Sequence, residues 1–484
     1  MRYIRKRDIY IVGQYLGKIM QGVGILVLIP LIVALIYQEH IAYIGFVIPA
    51  ILSILIGTLL TKIEVKRPRM AIKHAMLISS LAWLWASFIG GLVMVLCLDI
   101  SFIDAFFENM SAWTGTGITM FLDVESLPNS ILFLRSLEQW IGGLGIVVIV
   151  IGTLVYTGTA ASRLYKSEAR EDRIKPSIAN TLKKTLQIYF IYTAIGIALF
   201  IIAGMPVFDS INNTFTAIST GGMSIKNLNM GYYNNNLFYM ISMLIMILGA
   251  TSFLTHYRVF KTKGKAIFKD IQFIAMIGLI AVSSIIIYFA TNLIPMDIVY
   301  NVVSAITTTG ASIDSVAATA AWPGFFKIII ISLMIIGGAA GSTVGAVKLS
   351  RIITILRGLS KNIINNISPE GRIVKIKSSG RAIGDSEVTE ASSYLSIYIL
   401  FLLGGWLVLT FYGYDGINSL FDISSAQGNV GLSTGIITPS TPLIAKIVVI
   451  FNMWIGRLEI IPVLILIRSG LELFKIFIPS KKPI

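Results

Sequence analysis

The sequence predicts an all-α polytopic membrane protein. Four pseudo-repeats of span, pore helix, filter strand and span surround one pore, and an extra N-terminal transmembrane hairpin stands outside the set. Three observations predict this. Of 484 residues, 55% are hydrophobic and 13% charged, against about 25% charged in a typical soluble protein, and the mean hydropathy is +0.82. Ten apolar runs are long enough to cross a bilayer. One motif returns four times at fixed spacing, and such internal symmetry frames every other reading.

Crossing the hydrocarbon core takes about 20 apolar residues. The ten runs fall near 9–37, 41–61, 75–98, 131–156, 185–206, 237–255, 271–293, 325–350, 393–412 and 443–467. Met1 to Asp8 form a basic lead into a run too long for a signal peptide, so the first run is expected to remain as a span. The net charge of +15 is distributed in alternate connections: Arg2 to Arg7, Lys62 to Lys73, Arg163 to Lys184, Arg258 to Lys269, Arg351 to Arg381 and Lys475 to Lys482. The connections between them carry mainly acids or no charge. The positive-inside rule puts both termini in the cytoplasm, which needs an even number of spans, and ten satisfies it. The basic excess is therefore a topology signal, not a nucleic-acid surface.

The repeated motif reads DAFFENMSAWTGTG (Asp104 to Gly117), DSINNTFTAISTGG (Asp209 to Gly222), DIVYNVVSAITTTG (Asp297 to Gly310) and NSLFDISSAQGNVG (Asn418 to Gly431). In each, 13 positions separate the first residue from the closing glycine, and an alanine (Ala112, Ala217, Ala305, Ala426) sits five before that glycine. Each copy lies between two spans on the side without basic residues. Asp104 to Ala112 makes a helix of ~14 Å, which dips to mid-membrane without crossing. Such half-helices are tolerated only when buried in protein or lining water. The opening residues are expected near helix starts, where their oxygens complement the positive dipole end.

The half-helices run into the turns Thr114-Gly115-Thr116-Gly117, Ser219-Thr220-Gly221-Gly222, Thr307-Thr308-Thr309-Gly310 and Gly428-Asn429-Val430-Gly431. Glycine lets successive carbonyls face one side, and threonine adds a hydroxyl oxygen. Four such strands around an axis make rings of neutral oxygens, which suit a weakly hydrated monovalent cation; Mg²⁺ dehydrates reluctantly, and no carboxylate rewards it here. Ordinary Gly/Thr membrane loops would account for one copy. They do not account for four, between spans, on one side and at one spacing.

The implied layout is residues 1–70 as the hairpin and 71–165, 166–264, 265–385 and 386–484 as four pore repeats, the third with an intramembrane segment at 337–346. In that segment Gly337, Gly338, Gly341 and Gly345 stand with Ser342 and Thr343 inside an apolar run. Each glycine costs about 1 kcal/mol against alanine in a helix interior, so the span is expected to break there. Arg457 lies within the last run with Glu459 close by, and an ionisable residue at that depth faces a cavity or a partner such as Glu459 or Glu138. Glu108, Asn213, Asn301 and Asp422 share one position in the motif; they hydrogen-bond the turn from behind or draw cations to the mouth. Cys97 is the only cysteine and His40, His74 and His256 have no ligand spacing, so neither a disulfide nor a metal centre is expected. There is no phosphate-binding GxxxxGK[ST], no HExxH and no Cys/His cluster to suggest an enzyme.

The turns WTGTGIT, ISTGGMS and ITTTGAS resemble the TrkH/TrkG/KtrB potassium transporters of the Trk/Ktr/HKT superfamily. So do RSLEQWIGGLGIVV (135–148), IIGGAAGSTVGAVKLSR (335–351) and MWIGRLEI (453–460). The resemblance spans essentially the whole chain, and the N-terminal hairpin makes it similar to the TrkH branch. It implies a K+ ion bound in a filter made of Gly115, Thr116, Gly117, Thr220, Gly221, Gly222, Thr308, Thr309, Gly310, Asn429, Val430 and Gly431, with no organic cofactor. One glycine per repeat anchors it: Gly117, Gly222, Gly310 and Gly431. Plant HKT proteins with serine at the first of these positions are sodium-selective, so Gly117 implies potassium, with rubidium and caesium expected to pass. In the fourth repeat Asn429 and Val430 replace the threonines, leaving the least regular ring. The resemblance makes Gly337, Gly338, Gly341, Ser342, Thr343 and Gly345, with Arg457 beside the pore, the gate below the filter. It also implies a homodimer in the cell (inner) membrane, in contact with lipid, on a cytoplasmic ring of RCK-type nucleotide-binding subunits (TrkA/KtrA-like). A carrier coupling K+ to Na+ or H+ is the alternative; its acidic relay would have only Glu138 and Glu459 to draw on.

Overall fold

The computed structural model describes residues 5–63, 70–145, 178–262, 264–369, 377–378 and 381–477. The fold is all-helical; among the described residues the only strand pairing is a two-residue ladder, Lys377–Ser378 with Arg381–Ala382. Among the described residues, six helices are long and apolar enough to cross a membrane, or up to eight if each of two sharply bent pairs is one span. The chain is thus a multi-pass membrane protein. The expected run 131–156 and the basic connection after it extend beyond residue 145, outside the described residues.

The N-terminal hairpin pairs Lys6–Val27 with His40–Thr61. A Cβ added at Gly17 would stand 2.6 Å from Gly57 O, and one at Gly57 2.6 Å from Gly17 O. In lipid, helices associate by such close packing of small residues rather than by excluding water. Polar ties, among them Trp85 Nε1 donating to Ser53 Oγ at 2.9 Å, hold the hairpin to the first repeat. Asp8 pairs with Lys73 at 2.7 Å and His74 at 2.8 Å. Glu39 accepts from the amides of Asn129 (2.6 Å) and Ser130 (3.1 Å), placing a carboxylate at the positive end of the helix Asn129–Leu144.

Four short helices, Phe102–Thr114, Val207–Ile218, Pro295–Ile306 and Gly416–Gly428, carry the motif. The opening residues do not cap them. Asp104, Asp209, Asp297 and Asn418 fall at the third helical position; in the first and last helices the caps are Ser101 and Asp415, whose side chains accept from Asp104 N (3.2 Å) and Asn418 N (2.9 Å). Three of the opening residues instead tie their helices to segments elsewhere in the chain. Lys446 Nζ donates to Asp104 at 2.5 Å, Lys327 Nζ to Asn418 Oδ1 at 2.7 Å, and Tyr233 OH to Asp209 at 2.7 Å.

Each short helix is followed further along the chain by a longer one. These helices end at Leu144, Ala250, Ile336 and Arg457. Beyond the second and fourth breaks the chain turns by 102° and 118°. The sequence predicts a break only in the third, at its glycine-rich segment, and continuous spans over 237–255 and 443–467. Gly249 stands at the second break and Gly456 and Pro462 at the fourth, and other groups take over the freed backbone there, as lipid requires. Carbonyls of Gly249 and Ala250 accept from Thr343 N (3.2 Å) and Ala339 N (3.0 Å), and Phe253 N donates to Gly341 O at 3.0 Å. At the fourth break Glu459 and Ile460 take left-handed backbone angles, φ 56° and 65°.

Candidate functional site

The predicted filter residues come together at the C-terminal ends of the four short helices. Two positions before each closing glycine the backbone is left-handed: Gly115 φ 71°, Thr220 54°, Thr308 52°, Asn429 53°. The closing glycines themselves have φ 89° (Gly117), 67° (Gly222), 74° (Gly310) and 109° (Gly431). A left-handed threonine is strained, and strain of this kind collects at functional sites.

The glycines interlock in a cycle. A Cβ added at Gly117 would stand 2.5 Å from Gly221 O; at Gly222 it would overlap Thr309 O, at Gly310 Val430 O, and at Gly431 Thr116 O. Each strand therefore abuts the carbonyl just before the closing glycine of the next, and the fourth returns to the first. The contacts close a ring of four glycines, each against a backbone oxygen of the next turn.

The residues behind the ring decide the question the motif left open. Glu108, buried, accepts from Met120 N at 2.7 Å and from Thr119 Oγ1 at 3.0 Å, and pairs with Arg135 at 2.8 Å. Asp422, also buried, accepts from Thr434 N (2.7 Å), Thr434 Oγ1 (2.9 Å) and Ser433 Oγ (3.0 Å). Both therefore grip backbone three residues past the glycine rather than facing the mouth. Asn301 donates to Asp314 at 2.9 Å and Asn213 to Tyr233 OH at 3.2 Å. Asp422→Ala leaves these donors buried without an acceptor and is expected to cost about 1–3 kcal/mol, read as a lower melting temperature in detergent.

Sequence reasoning misses Gln139. Its side chain donates to Gly221 O at 2.7 Å and accepts from Met223 N at 2.9 Å, clamping the second strand on both sides. A glutamine in an apolar run between Arg135 and a Gly-Gly pair is the available signal. In the fourth strand Asn429 is more than a gap in an oxygen ring. Asparagine tolerates the left-handed region, and its amide bridges Thr116 Oγ1 (3.0 Å) and Met453 O (2.8 Å).

Residues 337–348 form an irregular segment between Ile336 and Leu349, two residues longer than expected. It meets three of the strands. Thr343 Oγ1 lies 3.1 Å from Thr220 Oγ1, Gly345 N donates to Thr308 Oγ1 at 3.2 Å, and Gly345 packs against Gly428 O. Arg457 completes the enclosure by donating to Thr343 O (2.8 Å), Gly142 O (2.5 Å) and Gly143 O (2.9 Å). The alternative of an ion pair between Arg457 and Glu459 or Glu138 is not what forms. A cation on the carbonyls of a broken helix end both completes their hydrogen bonds and complements the dipole. Glu459 pairs instead with Lys348 at 2.5 Å and with Arg351, fastening the end of the irregular segment to the bend in the last span.

Membrane helices that carry four interlocked glycine turns place the chain among membrane cation transporters, not enzymes. The chain belongs to the TrkH family of cation transport proteins, whose family model matches residues 44–326 and 295–475. It is 40% identical over 467 residues to an uncharacterised cation transporter of Methanocaldococcus jannaschii, covering 96% of this chain and 97% of that one. It is 29% identical over 461 residues to the Trk system potassium uptake protein TrkH of Escherichia coli, with 91% and 94% covered. The crystal structure of the potassium transporter TrkH from Vibrio parahaemolyticus superposes with a TM-score of 0.82 at 27% identity, covering 95% of this chain and 98% of that one.

Proposed function

We propose that this chain is a potassium uptake protein that conducts K+, and Rb+ with it, down the electrochemical gradient through the four-strand oxygen ring. The observation that carries this is the cyclic interlock of Gly117, Gly222, Gly310 and Gly431. Neutral carbonyls at close quarters replace the water of a large monovalent ion. The filter is Gly115 to Gly117, Thr220 to Gly222, Thr308 to Gly310 and Asn429 to Gly431. An inside-negative potential drives entry with about 2.3 kcal/mol per charge per 100 mV.

The gate in this reading is Gly337, Gly338, Gly341, Ser342, Thr343 and Gly345 with Arg457, because these residues stand against the lower ends of the strands. Coupling to a second ion has little to draw on: of the two candidate acids, Glu459 is paired with Lys348 and Arg351, which leaves Glu138 alone, too little for a relay. The chain works as four pore repeats (71–165, 166–264, 265–385, 386–484) behind the hairpin 1–70. It lies in the cell (inner) membrane with cytoplasmic termini, as the basic connections require. Exposed Ile41, Phe289 and Phe411 suit lipid contact. A second copy and a cytoplasmic nucleotide-binding RCK-type subunit complete the assembly, in keeping with the relatives named for a Trk system.

Flux of rubidium and sodium into proteoliposomes at a set potential tests the reading. Wild type is expected to pass rubidium well ahead of sodium. Gly117→Ser is expected to narrow that ratio by about tenfold, which corresponds to ~1.4 kcal/mol in relative barrier. Equal fluxes of the two ions in wild type contradict potassium uptake.

A further inference from the structure

Behind the first strand lies a buried acid that the conduction path does not use. Glu138, on the helix Asn129–Leu144, is 1% exposed, and neither carboxyl oxygen has a hydrogen-bond partner. Two fully enclosed neighbours share its condition. Asn109 spends its amide N–H on Ala105 O at 2.7 Å, which leaves Oδ1 unpartnered, and the indole N–H of Trp113 points at the carboxyl without completing a bond. Asn109 Oδ1 and Glu138 Oε1 crowd one point: a Cβ added at Gly90 would overlap the first and stand 2.6 Å from the second. Two bare acceptors there repel. A proton on the carboxyl makes one of them a donor, and Trp113 then satisfies the other carboxyl oxygen.

Among the described residues the surroundings offer no charge to hold a carboxylate instead. The charged groups closest in influence are Glu108 and Arg135, and these are committed to each other at 2.8 Å. Arg457 reaches the same helix one turn further on, at the carbonyls of Gly142 and Gly143. The helix Ile72–Cys97 presents Gly90 at this point, with no charged side chain. An unpaired buried charge is costly enough that the group neutralises. Packing does not call for an acid. Gly196 meets Thr214 and Ile245 in the matching contact behind the second strand, and Gly405 meets Ile423 and Asn452 behind the fourth.

We infer that Glu138, Asn109 and Trp113 form a proton-binding site behind the first strand, occupied at neutral pH and coupled to conduction. When the proton leaves at high pH, an uncompensated carboxylate sits one residue from Gln139, which clamps the second strand, and against the short helix that delivers the first. Conduction falls as the site empties. The coupling rests on the potassium-uptake reading; the site itself does not.

The test is infrared spectroscopy of the full chain in lipid, with rubidium flux measured on the same preparation across pH. Wild type is expected to show at neutral pH a protonated-carboxyl C=O band that Glu138→Gln lacks and that shifts to higher frequency in Trp113→Phe. The band fades as pH rises and flux falls with it, whereas Glu138→Gln flux stays flat. Absence of the band at neutral pH overturns the site. A band that titrates while wild-type flux remains flat overturns the coupling. If neither protein passes rubidium, the conduction reading fails while the band still decides the site.

Discussion

Gly310→Ala is expected to abolish rubidium flux in a chain that still inserts and folds. The backbone at Gly310 has φ 74°, a region that costs a residue with a Cβ roughly 1–2 kcal/mol. The larger effect is steric. The new Cβ would overlap Val430 O and approach Gly431 Cα at 2.7 Å, both backbone, so the fourth strand must move as a whole. Gly222→Ala meets Thr309 O in the same way. At Gly117 the nearest atom is Gly221 O at 2.5 Å and the next is 3.3 Å away, so a substitution there distorts less and alters selectivity before it blocks flux. Gly278→Ala, in an exposed helical position with nothing within 4 Å, is the control and is expected to leave flux unchanged. Flux of the three alanine variants, normalised to the amount of folded protein, decides the order.

Deleting Gly338 to Ser342 is expected to raise flux about tenfold, equivalent to ~1.4 kcal/mol off the barrier. The segment 337–348 stands below the ring, held by Thr343 on Gly249 O (2.9 Å) and Ile218 O (3.2 Å), and by Arg457 on Thr343 O (2.8 Å). The deletion removes Ala339 and Gly341, which complete the broken end at Ala250 and the start of the helix at Phe253. The remaining stretch is too short to keep Thr343 and Gly345 beneath the strands. Unchanged flux from a deletion that elutes and melts like the wild type contradicts a gating role for the segment.

How far these features are legible in the sequence depends on the distance over which each is determined. The multi-pass helical class comes directly from composition and span length. The ring glycines are legible because a left-handed backbone position against a neighbouring carbonyl admits little else, so the constraint is written locally at each copy. The break after Ile336 is legible for the same reason, since glycines mark it. The breaks at Ala250 and Arg457 carry weaker local marks, Gly249 in one case and Gly456 and Pro462 in the other; what shapes them is Ala339, Thr343 and Gly341 at the first and a left-handed Glu459–Ile460 pair at the second. Thr220 and Thr308 in the left-handed region run against the preference of a β-branched residue; only the packed ring imposes it. Asp104 and Asn418 read locally as helix-start oxygens, and their lysine partners at 446 and 327 lie too far along the chain for any spacing rule to reveal.

The most direct test of a cation held by four strands is an anomalous diffraction map from crystals grown in rubidium. The account predicts a peak within the ring of Gly117, Gly222, Gly310 and Gly431, lost in Gly310→Ala. A map with rubidium bound elsewhere and none within that ring contradicts it.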